Sequence, residues 1–209
     1  ERNPGGFYSY NHYCRMYREW LKTTSPSMRQ VHKAGEKLFV DYCGPTVGVT
    51  DPETGEIRTA QVIVAVLGAS SYTWAEATWS QQLEDWVMSH VRCFQWLGGV
   101  PELVVPDNLK SATSRACKYD PDVNPTYQQM LEHYNVAVLP ARPRKPKDKA
   151  KAEVGVQVVE RWIMARIRHE IFYSLASLNQ RIRELLERLN NKIMQKLGYS
   201  RAELFIQLD

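Results

Sequence analysis

Residues 37–43 read KLFVDYC, an apolar and aromatic run broken by a single acid, Asp41. A run this dense is expected of a central strand covered on both faces, since a half-exposed strand would alternate with polar residues. Such a strand needs neighbouring strands beside it and helices over it. The expected fold class is therefore α/β, a mixed sheet flanked by helices. A carboxylate inside a central strand is costly unless something pairs with it, and a metal ion is one efficient partner. The plainer alternative is an edge position where Asp41 accepts backbone hydrogen bonds.

The rest of the chain supplies those neighbours. The segment 47–68 carries two apolar stretches around the turn-forming DPETGE and reads as a hairpin. SYTWAEATW (71–79) reads as a further strand with Tyr72 and Trp74 on one face. The period then changes: Leu83, Trp86, Val87, His90, Val91, Phe94 and Leu97 mark one helical face, with Ser80 as N-cap and Gly98-Gly99 as the stop. PELVV (101–105) is a short buried strand that leads into Pro106 and Asp107, followed by a polar loop through Lys118. A short helix over 125–134, a strand over 136–139, and helices over about 149–168 and 175–197 complete the order. At the start, Tyr8, Tyr10, Tyr13, Met16, Tyr17, Trp20 and Leu21 fall at helical intervals before the polar stretch TTSPSMRQ. The expected division is 1–34 as an appendage with linker, 35–173 as the main domain, and 174–209 as a helical extension.

With 209 residues there is room for one substantial domain and an appendage. No apolar run approaches the roughly 18 residues needed to span a membrane, and the start does not read as a signal peptide. The four cysteines form no CxxC pair or zinc-finger spacing, which points to reduced thiols and a cytoplasmic protein. The abrupt ends, ERNPGG and FIQLD, are those expected of a piece of a longer protein. Net charge is only +4, but the basic residues are concentrated: Arg142, Arg144, Lys145, Lys147, Lys149 and Lys151 stand against one acid, Asp148. A local field of this kind attracts phosphate; the alternative is a solvated loop.

Three acids occupy unusual settings: Asp41 in its apolar strand, Asp107 just past a strand end, and Glu153 near the start of a helix after the basic run. Each has an ordinary explanation, as an edge residue, a turn or cap residue, and a complement to the helix dipole. Together they can converge on one metal site. Hard divalent cations such as Mg²⁺ take oxygen ligands, and two of them can clamp the attacking and leaving oxygens of a phosphodiester. No GxxxxGK[ST] loop supports an NTP-driven motor, and no GxSxG or paired-cysteine chemistry competes.

The blocks VHKAGEKLFVDYCG (31–44), VPDNLKSA (105–112) and ARPRKPKDKAKAEVGVQVVERW (141–162) resemble the IstA-type transposases, the integrase-like subunits of bacterial insertion sequences that also encode the ATPase IstB. DPETGE, AVLGASSYTWAEATW and SRAELFIQLD extend the resemblance over essentially the whole chain. It implies a ribonuclease-H-like fold and a DDE triad that falls on Asp41, Asp107 and Glu153. Cys43 stands where alanine is the family's usual residue, a small apolar replacement. The implied cofactor is Mg²⁺, with Mn²⁺ as substitute and two ions when DNA is bound. The implied partners are double-stranded DNA, further copies of the same protein on that DNA, and IstB. The implied site of action is the bacterial nucleoid. The family also implies a helix-turn-helix region, whose tail residues 1–22 resemble, and a C-terminal beta-rich domain. Asn108, Lys110, Arg142, Arg144, Lys145, Lys147, Lys149 and Lys151 are the expected DNA contacts. A ribonuclease-H-type nuclease and a non-catalytic DNA-binding or assembly module are the competing expectations.

Overall fold

The computed structural model describes residues 8–23, 31–106, 113–115, 122–139 and 146–209. Contacts divide the chain into two units, 1–31 and 32–209. The first contains α1 (Tyr10–Thr23), which has no buried residue. Its aromatic residues stack along the helix, Tyr13 on Tyr17 and Tyr17 on Trp20, with ring centroids 6.0 and 5.9 Å apart. Spacing of three and four residues brings such side chains over one another.

The second unit is built on a mixed sheet. β1 (Lys37–Tyr42) is central, antiparallel to β3 (Ile57–Leu67) and parallel to β5 (Leu103–Pro106). β2 (Val47–Thr50) pairs with the start of β3, and β4 (Thr73–Thr78) pairs antiparallel to β3. Beyond β5 lies the two-residue β8 (Ala137–Val138), also parallel. A separate antiparallel pair, β6 (Thr113–Arg115) with β7 (Asp122–Val123), interrupts the stretch expected to be loop.

Strand alternation divides the core into two layers. Leu38, Val40, Tyr42, Ile63, Ala65 and Leu67 face α2 (Leu83–Leu97) and α3 (Pro125–His133) around the buried Trp86 and Tyr127. Cys43, Val62, Val64 and Val66 face the other way, against Val159, Ile163, Ile182 and Leu186. Those residues belong to the long C-terminal helices. α4 (Pro146–Val159) continues through a π-helical turn (Glu160–Met164) into α5 (Ala165–Ile167), and α6 (Leu175–Asn191) follows. Among the described residues a helical layer thus covers each face, as the dense apolar character of β1 requires.

Close approach fixes where α4 lies. A methyl group added at Gly155 would collide with the Val66 side chain, so α4 touches β3 at a point that only glycine tolerates. Ala152, one turn earlier, packs with Phe39 of β1 and Val105 of β5.

α6 closes the sheet's edge. Asn179 accepts the Ala77 N–H at 2.7 Å and donates to the Ala77 carbonyl at 2.9 Å. Asn190 does the same at Thr73, accepting at 3.1 Å and donating at 2.8 Å. The two side-chain amides pair with β4 as an adjoining strand would. α7 (Arg201–Leu208) starts with a Ser200–Glu203 capping box and stacks Phe205 on Tyr72, ring centroids 4.3 Å apart.

Some boundaries differ from the sequence expectation. α2 begins at Leu83 after Gln82, and Ser80 instead binds Asp85 through both its N–H and its hydroxyl. α6 ends at Asn191 because Lys192 turns extended, Ile193 bridges to Ser200 and Gly198 takes a left-handed φ of 75°.

Candidate active site

Asp41 lies on β1, in the middle of the sheet and not at an edge. Its neighbours in the alternation, Phe39 and Cys43, belong to the face covered by α4 and the π-turn, so Asp41 shares that face. The carboxylate is partly exposed, and Oδ1 accepts the Tyr42 N–H at 2.8 Å. The edge part of the plainer explanation fails, while the backbone hydrogen bond it foresaw is present.

β5 carries the strand end expected to present Asp107. Its last residue, Pro106, stands opposite Val40, the residue before Asp41. Asp107 lies outside the described residues, as do Asn108, Lys110, Arg142, Arg144 and Lys145. Lys147 and Lys149 fall at the start of α4.

Glu153 is exposed on α4. Because the helix starts at Pro146, three residues earlier than expected, Glu153 lies beyond the first turn. The helix dipole acts mainly within that turn, so dipole complementarity no longer accounts for this acid.

Glu160, at the head of the π-turn, escaped the sequence reading. Its Oε1 accepts the Gly44 N–H at 3.3 Å, just past the end of β1. The available signal was spacing: seven residues from Glu153 is close to two helical turns, so both acids emerge on one flank of the helix. Cys43 lies within reach of this set. Burial pushes its thiol up to about 12, and the negative charges of Glu160 and Asp41 push in the same direction. A thiol held protonated is a poor nucleophile at neutral pH. The local donor set is carboxylate oxygen, which suits a hard divalent cation. Among the described residues, no three His, Cys, Asp or Glu side chains are grouped closely enough to hold a metal ion.

Lys151, the last residue of the basic run, is engaged within the fold. Its Nζ donates to Ser71 Oγ at 2.7 Å. Burial lowers the pKa of this ammonium, the nearby Arg201 lowers it further, and Asp209 opposes the shift.

Comparison with known proteins gives this geometry a lineage. The family model described as integrase core domain matches residues 31–146. A Burkholderia multivorans protein named "Putative transposase for insertion sequence IS408" is 51% identical over 210 residues, covering 100% of this chain and 40% of that protein. "Putative transposase y4uI" of Sinorhizobium fredii is 50% identical over 209 residues, again 100% of this chain and 40% of the relative. "Transposase for insertion sequence element IS21" of Pseudomonas aeruginosa is 28% identical over 129 residues, 62% of this chain and 33% of that protein. The chain thus spans about 40% of the length of the first two relatives. Among solved structures, the HTLV-2 integrase catalytic core domain in complex with magnesium superposes with a TM-score of 0.59 at 12% identity, covering 85% of this chain and 99% of that one. A simian T-cell lymphotropic virus intasome chain gives 0.63 at 12% identity, covering 85% of this chain and 56% of that chain. The fold is that of the ribonuclease-H-like, retroviral-integrase superfamily. With its family model matched over residues 31–146, the chain belongs to the integrase core domain family, within the transposase–integrase superfamily.

Proposed function

We propose that this chain is the catalytic core of an IstA-type DNA transposase, cleaving at transposon ends and transferring the 3′-hydroxyl end into target DNA. One observation carries the reading. Two parallel neighbouring strands bring Pro106 beside Val40 at the sheet end where Asp41 sits, and α4 with Glu153 packs over the same strands. Asp107, the next residue after β5, would then stand close to Asp41. Asp41, Asp107 and Glu153 would hold Mg²⁺, or Mn²⁺ in its place, with two ions in the DNA complex. Such ions supply Lewis-acid stabilisation of the attacking and leaving oxygens of an in-line phosphodiester exchange. The protein's own share is positional. β1 fixes Asp41 from the centre of the sheet, Gly155 lets α4 lie close, and Glu160 ties Gly44 to the helix. The basic residues 142–149, with Asn108 and Lys110, would hold the DNA backbone. In this reading the core spans 35–173, residues 174–209 are a helical extension packed on it, and 1–34 belong to a DNA-binding module. The partners are duplex DNA, further copies of the protein, and the ATPase IstB, acting in the bacterial cytoplasm on the nucleoid.

The test is strand joining, measured with a labelled 3′-hydroxyl duplex, a second duplex and Mg²⁺, using the full-length protein. Glu153→Gln keeps size and hydrogen bonding but loses the charge. It should retain parental circular dichroism and DNA affinity while joining and end cleavage vanish. Near-parental joining by the folded variant would remove Glu153 from the mechanism. A parental protein that cuts the RNA strand of a hybrid but joins no DNA would instead favour the ribonuclease reading.

A further inference from the structure

Where α6 ends and α7 begins, a cavity of about 320 Å³ opens against the flank of the π-turn. Val158, Trp162 and Leu189 form its apolar wall, and Lys192, Lys196 and Arg201 supply its charge. None of the lining side chains is acidic. The Lys192 ammonium lies 4.5 Å from the centroid of the Trp162 ring, and the Arg166 guanidinium lies 3.7 Å from the same centroid. Arg166 is held there by a hydrogen bond from Nη1 to the Trp162 carbonyl at 2.6 Å. Arg201 donates from Nη1 to the Leu189 carbonyl at 3.3 Å, in the last turn of α6. That acceptor is neutral, and among the described residues no carboxylate pairs with Arg201.

We propose that this cavity seats backbone phosphates of duplex DNA, as a contact separate from the basic run before Glu153. The chemistry is that of a phosphate seat. Three cations gathered around one concavity with no acid in its lining raise the local positive potential, so an entering phosphate is attracted more strongly than by a lone surface cation. Arginine and lysine side chains of this kind contact phosphates without reading sequence, fixing a duplex in place. The location sets the role. Glu160 reaches across to Gly44 beside β1, whereas Trp162, two residues later, turns toward the end of α6. The cavity therefore lies on the other flank of the helix from Asp41 and would hold backbone remote from the reacting phosphate. The inference rests on the DNA reading of the chain, and it adds a second place where DNA is gripped.

The test measures affinity of the 209-residue chain for a labelled duplex by fluorescence anisotropy over a range of salt concentrations. Each lost phosphate contact flattens the plot of log affinity against log salt by about one. The double variant Lys192→Gln/Lys196→Gln should flatten it by about two while circular dichroism and melting stay parental. In the full-length protein it should raise the DNA concentration needed for joining and leave the rate at saturating DNA unchanged. A photoreactive benzoylphenylalanine in place of Gln195, which also lines the cavity, should form adducts with DNA. An unchanged slope, in a parental chain that does bind DNA with salt dependence, would overturn this proposal alone. Adducts between protein chains in place of DNA adducts would overturn it in favour of a docking surface for a second copy. A parental chain that binds no DNA at any salt would overturn the DNA reading as a whole, and this proposal with it.

Discussion

His90 is buried between α2 and α3 with both ring nitrogens engaged. Its Nδ1 lies 2.8 Å from the Trp86 carbonyl, which can only accept, so Nδ1 carries the proton. Nε2 then accepts from the Tyr127 hydroxyl at 3.1 Å. Burial lowers the imidazole pKa from 6.5 to about 4, partly opposed by the Trp86 hydrogen bond. The folded protein thus binds fewer protons than the unfolded chain between these values. The contribution is complete above pH 6.5 and is lost as pH falls toward 4, at a cost of roughly 3 kcal/mol by the end of that window. His90→Gln cannot take up the proton. It should be less stable at pH 7 and should lose less stability than the parent between pH 6.5 and 4, as read by urea unfolding. Parallel curves for the two proteins would show that His90 does not titrate with folding. Nothing at residue level in the sequence marks this histidine as a core group except its place in the apolar period of α2. Its tautomer is set by the Trp86 carbonyl one turn away, but the hydroxyl that satisfies the other nitrogen belongs to Tyr127, 37 positions away.

At the scale of elements, the paired asparagines on α6 are worth a measurable amount. Each amide satisfies one N–H and one carbonyl of β4, and Asn190 is almost wholly buried. Removing a partner leaves buried backbone groups unsatisfied, at about 1–3 kcal/mol. Asn190→Ala should lower stability within that range, and Asn190→Asp should not rescue it, since a carboxylate cannot donate to the Thr73 carbonyl. Chemical denaturation that shows Asn190→Ala as stable as the parent would remove the clamp from the energetics. These clamps are illegible in sequence, because an asparagine in a helix reads as a solvent-facing residue until the strand beneath it is known. The strands themselves were legible. β1 announced itself by its dense apolar run around a single acid, and β3 by the long run after DPETGE. Helix ends were less so: α6 stops short because of the Ile193–Ser200 bridge, a contact that periodicity does not encode. Of the candidate site, Asp41 was legible from its setting and Glu153 from its sequence block. Glu160 required the helix axis to be placed against β1.

At the scale of the whole chain, every hydrophobic core cluster among the described residues draws on positions from Leu38 to Phe205, and α1 contributes no buried residue. Residues 32–209 should therefore fold without 1–31, with a melting temperature within a few degrees of the parent by circular dichroism. A large drop would show that the aromatic helix stabilises the second unit. The sheet's borders carry a separate consequence for handling the molecule. β4 is occupied by the amides of α6, β2 is bridged by Phe172, whose carbonyl takes the Thr50 N–H at 2.8 Å, and β8 is only two residues long. Open strand edges are the templates on which native proteins recruit one another into fibrils. With these borders of the main sheet closed or short, the described strands offer cross-β growth no long open template in the folded state. Loss of soluble material on storage should then track the unfolded fraction, so that any condition raising stability lengthens shelf life even at high protein concentration.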